Sequence, residues 1–305
     1  MTAKEIIQQS EAAAEKISEA IDKATAQTER DVLAMQKALF DLIRDEILPR
    51  LSTQDGQIQP SRANLVAVSF LDAIFETWKR NEAARATGEF VRRLLSTAQL
   101  VAGYYTDEEN AEQLATDTTF LQSALGVDSS GNVQAGSIIG GILAAGQVLE
   151  NIKRSIVSAI TGGQPIRQFL SDMRAYITGT DQADGVVFRH WKGNALDLFN
   201  TATEIQNDQV RQGLGLGWFL YAGDVIKDSR EFCIKKAGKV FAVVEADKEW
   251  PKDPDLIGKT SGIPYTPRID RGRWNCRHRI RYISEELAVQ IDPKKVNFVK
   301  KKYGI

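Results

Sequence analysis

The chain has 305 residues, 39 Lys and Arg against 40 Asp and Glu, two Cys and two His; 43% of it is hydrophobic and 26% charged. This is ordinary globular usage, which excludes wholesale disorder, a collagen-like repeat and a disulfide-rich scaffold. A net charge of −1 supplies no global field toward nucleic acid.

The N-terminus has no apolar h-region, so no secretory signal is expected. Residues 3–48 contain no Gly or Pro, which predicts one long helix. Ala14, Ile17, Ile21, Ala24, Thr28, Met35, Ala38 and Leu42 follow a heptad seam, interrupted by Asp31. Lys16, Lys23, Arg30, Lys37 and Arg44 recur every seventh residue and form a basic stripe. Such a stripe is either a solvated outer face or a rail against an acidic partner, DNA or another subunit. Glu15, Asp22, Glu29 and Asp45 stand beside it and dilute its field.

A polar connector with Pro49 and Pro60 at its edges runs from Leu51 to Ser61. Helical spacing resumes to Tyr104 (Leu65, Val68, Leu71, Ile74, Phe75 and Trp78, then Phe90, Val91, Leu94 and Leu95). Thr106 and the acids after it read as a helix start. Val127 to Asn132 reads as a turn, and Ala135 to Ile160 as a small-residue helix. Within that helix, Ser137–Leu149 is apolar but falls short of the ~20 residues that span a bilayer. It is a buried helix or a segment that meets a membrane on some trigger; Gly136 and Gly140 allow close helix approach. Pro165 to Ile177 predicts a short amphipathic helix, and Asp184 to Arg211 a long one.

Gly213-Leu-Gly-Leu-Gly217 ends the helical pattern and matches neither a dinucleotide fingerprint nor a P-loop. Trp218–Gly223 and Gly238–Val244 have strand character, and residues 246–267 read as a loop. The expected fold is therefore predominantly α: an elongated helical N-terminal region with a small α+β C-terminal domain. The expected boundary puts a helical arm at 1–160 and a second domain with a basic tail at 161–305. From Arg268 onward eleven Lys and Arg oppose four acids, so a +7 end follows a −8 body. Arg271, Arg273, Arg279, Arg281, Lys294, Lys295, Lys300, Lys301 and Lys302 are its candidate contacts with nucleic acid or an acidic partner.

The most specific feature is the set Asp228, Arg230, Cys233, Asn275, Cys276, Arg277 and His278. Four chemistries compete for it. Cys233, Cys276 and His278 are metal-ligand types, but Cys-x-His with one distant Cys departs from zinc spacing, so no metal is expected. A Cys–His nucleophile of an enzyme or toxin is a second option. A Cys233–Cys276 disulfide would close a loop of about 44 residues, worth roughly 3–4 kcal/mol. The fourth is a structural clasp, in which Asp228 and Arg230 tie two segments by charge-assisted hydrogen bonds around small buried thiols.

Asp228-Ser-Arg-Glu-Phe-Cys233, Gly238-Lys-Val-Phe241, Trp250 and Gly272-Arg-Trp-Asn-Cys-Arg-His278 stand in an order that resembles the phage head morphogenesis family, the Mu F-type minor head proteins. The resemblance covers about 164–282; many relatives carry a second Cys in each segment, where this chain has one. It implies a minor virion protein of few copies at the portal vertex or head interior, assembled in the host cytoplasm. The implied roles are head assembly and DNA packaging or ejection. The implied partners are the portal protein, the major capsid or other head proteins, phage DNA through the tail, and other copies through the N-terminal helices. No cofactor, small-molecule substrate or enzymatic activity is implied. An internal ejection protein with a membrane-active helix is the alternative virion role.

Overall fold

The computed structural model describes residues 3–106, 108–130, 132–134, 146–192, 194–223, 225–259, 262, 264–274 and 276–305. The fold is predominantly helical, with a long N-terminal helix and a small antiparallel sheet in the C-terminal part, as the patterning predicts. Two compact units form. One holds Met1–Ala24, Arg93–Ala124 and Leu196–Ile305; the other holds Thr25–Arg92 and Leu125–Ala195. Both units gather segments from distant parts of the sequence. The helices Gly146–Thr161 and Ile166–Thr178 belong to one unit, and the linker between them is fastened there, with the Ile58 amide donating to the Gln164 carbonyl at 3.0 Å.

The first helix runs from Ala3 to Glu46. Its buried stripe is Ile6, Ser10, Ala14, Ile17, Ile21, Thr28, Val32, Met35, Leu39 and Ile43. In the first half this is the expected seam. In the second half Val32, Leu39 and Ile43 replace Ala38 and Leu42, which are only half-buried. An ideal helix drifts about 20° per heptad against a 3.5-residue repeat. The stripe follows the 3.6-residue period of a helix packed on its own chain. All five residues of the basic stripe are exposed and several are locally neutralised, as in Lys37–Asp41 at 2.6 Å and Arg44–Asp41 at 2.8 Å.

Among the described residues of the second unit, short helices pack through the buried faces of Leu71, Ile74, Phe75, Trp78, Ile152, Ile156, Phe169 and Met173. The indole of Trp78 donates to the Met35 carbonyl at 2.9 Å. Asn64, wholly buried, donates to the carbonyls of Ser52 and Gln59 and accepts from the Ser52 amide, fixing the expected connector as a tight hairpin. The predicted Asp184–Arg211 helix is two helices, Val186–Lys192 and Ala195–Leu214. Gly185 precedes the first of them where a Cβ would stand 2.3 Å from the Ile177 carbonyl oxygen. The predicted start at Thr106 moves to Ala111, after Asn110 takes a left-handed φ of 67°. The apolar stretch 135–145 lies outside the described residues; no described helix is long and apolar enough to cross a membrane.

The first unit is built on a three-stranded antiparallel sheet. Trp218–Ala222 is central, with Val240–Ala242 on one side and Arg279–Ile283 on the other. The second strand is shorter than expected because the chain turns helical at Val243, so part of the predicted 246–267 loop is helix. Alternation gives the sheet two apolar layers. Trp218, Leu220, Val240, Ala242 and Ile283 pack on the helices Glu285–Ile291 and Pro293–Tyr303 through Ala288, Val296 and Val299. Phe219, Tyr221 and Phe241 surround Trp250, whose ring meets each of theirs edge-on.

Candidate functional site

The two halves of the sequence feature meet beside Tyr221 in the central strand. Glu231–Lys236 is a single helical turn and a half that carries Cys233 inward. Arg230, just before it, donates from one guanidinium nitrogen to the Gly272 carbonyl at 2.8 Å and from the other to the Trp274 carbonyl at 2.6 Å. This fork ties the helix to the loop ahead of the third strand. Cys276 and His278 lie on that loop, both buried.

The sulfurs of Cys233 and Cys276 are 3.8 Å apart and both thiols are free. The Tyr221 hydroxyl lies 3.5 Å from the first and 3.4 Å from the second. The imidazole of His278 stacks on the Tyr221 ring at 5.2 Å and 7°. Gly272 backs directly onto the sulfurs, since a Cβ there would meet Cys233 Sγ at 2.6 Å. Hydrogen bonding from the Cys233 thiol, then from His278 and Tyr221, with the charge of Arg271, holds the Cys276 thiol well below its ordinary range despite burial. Cys233 moves the opposite way, pushed up by the shared hydrogen bond and by burial. The three donors line a cavity of about 660 Å³, walled on the other side by Glu11, Ala12 and Glu15 of the first helix.

The clasp is thus narrower than the sequence suggests. Asp228 is exposed at the cavity rim and makes no hydrogen bond among the described residues, so it does not pair with Arg230. Arg277 is exposed as well and lies 3.7 Å from Asp22. Asn275 lies outside the described residues.

The basic end is largely spoken for. Arg271, Arg273, Arg279 and Arg281 are buried, so they are not a surface for phosphates. Arg271 pairs with Glu204 at 2.7 Å, Arg279 donates to Asn200 at 2.7 Å, and Arg281 donates to the Ile6 carbonyl and the Ser10 hydroxyl. The guanidinium of Arg273 lies over the rings of Tyr265 and Trp274. Three of the five lysines are matched to acids: Lys295 to Glu245 and Lys302 to Glu249 of the body, and Lys300 to Glu285 within the end itself. Lys294 and Lys301 remain exposed. Much of the charge surplus counted along the chain is thus met by acids within the fold.

Sequence reading missed the partners of these arginines. Those of Arg271 and Arg279 lie on the Ala195–Leu214 helix, where Asn200, Thr203, Glu204, Asn207 and Asp208 are buried. Their three- and four-residue spacing was the available signal: a polar stripe on one face of a helix entering the core. Asn207 donates to the Ile280 carbonyl of the edge strand at 2.6 Å and accepts from Tyr105. Asp208 accepts from Arg268, from Arg211 at 2.8 Å and from Tyr282 at 3.0 Å.

Burial opposes ionisation of Asp208, but the hydrogen bonds and charges of Arg268 and then Arg211 outweigh it, and its carboxyl is held below the usual range. A carboxylate depressed in this way stabilises the fold above its unfolded pKa of about 3.9, and that contribution is lost as pH falls through the folded value. The Asp208→Asn chain is therefore expected to be less stable at neutral pH yet to lose less stability than the parent between pH ~5 and ~2. Urea midpoints across that range measure it; parallel curves for the two chains would refute it.

Comparison with family models, with curated proteins and with solved structures returns no match.

Proposed function

We propose that the chain is a minor structural protein of a tailed-phage head, bound near the portal or the head interior and acting in assembly and in DNA packaging or ejection. The observation that carries this reading is the Arg230 fork. It joins the Asp228–Cys233 segment to the Gly272–His278 segment, the two motif pieces that resemble the Mu F-type proteins. A latch of that kind makes a rigid module for docking. Trp274 in the second segment, and Val225, Ile226 and Ile234 flanking the first, are exposed apolar side chains suited to a protein partner. Burial of four of the nine basic candidates favours contact through protein over contact through DNA.

Quantitative mass spectrometry of purified phage particles from a producing culture tests the proposal. A few copies per head, retained after the tails are stripped off and cross-linked to the portal, is the expected result. Particles that lack the chain, or that assemble and eject normally when it is deleted, would remove it from this role.

A further inference from the structure

We propose that Cys233, Cys276 and His278 form a binding site for a thiophilic divalent cation of the zinc class. The inference does not depend on the virion reading. It starts from convergence: residues that are 43 apart in one case and two apart in the other place all their donor atoms within 4.8 Å of one another. A tetrahedral zinc with Zn–S bonds of about 2.3 Å sets its two sulfurs roughly 3.8 Å apart. The Cys233 and Cys276 sulfurs already stand at 3.8 Å. A disulfide instead requires a separation of about 2.05 Å.

A second observation points the same way. His278 is 5% exposed, and its Nε2 is buried with no hydrogen-bond partner. A buried polar atom without a partner is uncommon and calls for an explanation; a cation bound by the imidazole provides one.

The surroundings are those of a supported metal site. Arg271 donates to the His278 carbonyl at 2.8 Å and fixes the backbone that carries the imidazole. The Tyr221 hydroxyl is placed to donate to either sulfur once it is a thiolate. Hydrogen bonds to ligand atoms of this kind orient them and tune affinity. Gly223, at φ 122°, lets the central strand's end approach His278, where a Cβ would lie 3.2 Å from its Cα. On binding, the two thiols release two protons and the imidazole binds as the neutral ring, so the two thiolate charges balance the cation. Three protein donors leave a fourth position, which opens on the cavity that the same three residues line.

The test is metal titration of the full-length chain, purified under reducing conditions without chelator. Zinc is read by elemental analysis and cobalt(II) by its visible d–d and thiolate charge-transfer bands. One metal per chain with a tetrahedral cobalt spectrum is expected. Cys276→Ser and His278→Ala should abolish the thiolate-rich spectrum or weaken binding by more than a hundredfold. Tyr221→Phe keeps the ring and should weaken binding by about 10–100-fold. Lys301→Ala, on the surface, should leave it unchanged. A folded parent chain that takes up neither metal overturns the proposal, as does binding undiminished in Cys276→Ser. A thiol count of zero in freshly purified chain, meaning a bridge, overturns it as well. Because the parent titration alone decides the matter, a variant that fails to fold does not rescue the idea.

Discussion

Replacing Glu204 with Ala is expected to cost about 3–5 kcal/mol, the range for breaking a buried ion pair by removing one partner. Glu204 and Arg279 are 1% exposed and Arg271 is 3% exposed. Arg271 Nη1 lies 2.7 Å and Arg279 Nη1 3.5 Å from the same carboxylate oxygen. One negative charge thus serves two guanidiniums away from water. Burial, followed by the charge of Arg271, already lowers the proton affinity of Arg279. Without the carboxylate, the two cations repel each other and Asn207 loses an acceptor at 3.2 Å. Urea unfolding followed by circular dichroism measures the loss. A midpoint shift worth less than about 1 kcal/mol would show that the arginines find water or other acceptors instead.

The second large effect is expected at Trp250, where truncation to Ala should cost about 3–5 kcal/mol. The indole is 2% exposed and meets Phe219, Tyr221, Phe232 and Phe241 edge-on, at ring separations of 5.6, 5.5, 5.4 and 5.4 Å. Four rings would be left facing a void, and close-packed interiors relax only partly around such voids. Trp274, 40% exposed, is the internal control; its truncation should cost about 1 kcal/mol or less. Equal effects at the two tryptophans would contradict the hub seen around Trp250.

The helical class and the first two strands of the sheet were legible because periodicity reports burial directly; the third, Arg279–Ile283, was not, because its arginines read as surface charge. Ile17, Ile21, Trp218 and Leu220 sit where the pattern puts them. The seam beyond Thr28 was misread because the heptad and the 3.6-residue stripe diverge slowly, and a single sequence does not say whether a helix packs on a partner or on its own chain. Of the candidate site, the thiols and the imidazole were visible by residue type, and their meeting was not. Spacing rules describe ligands brought together by a local turn, whereas Cys233 and Cys276 are joined by a sheet and by the Arg230 fork. The basic tail misled for a related reason. Counting charge along the chain treats every Arg as solvated, and the compensating acids Glu204, Asp208 and Glu245 lie far away in sequence.

The grip of Arg281 on Ile6 and Ser10 also bears on biosynthesis. These partners are 275 and 271 residues apart. At the ~5–20 residues per second of translation, the opening helix leaves the ribosome many seconds before the strand that clasps it exists. Until then its apolar stripe has no cover from that strand, and its Glu11, Ala12 and Glu15 face a cavity still without Cys276 and His278. Packing of this region is consequently completed only once residue 281 has been made.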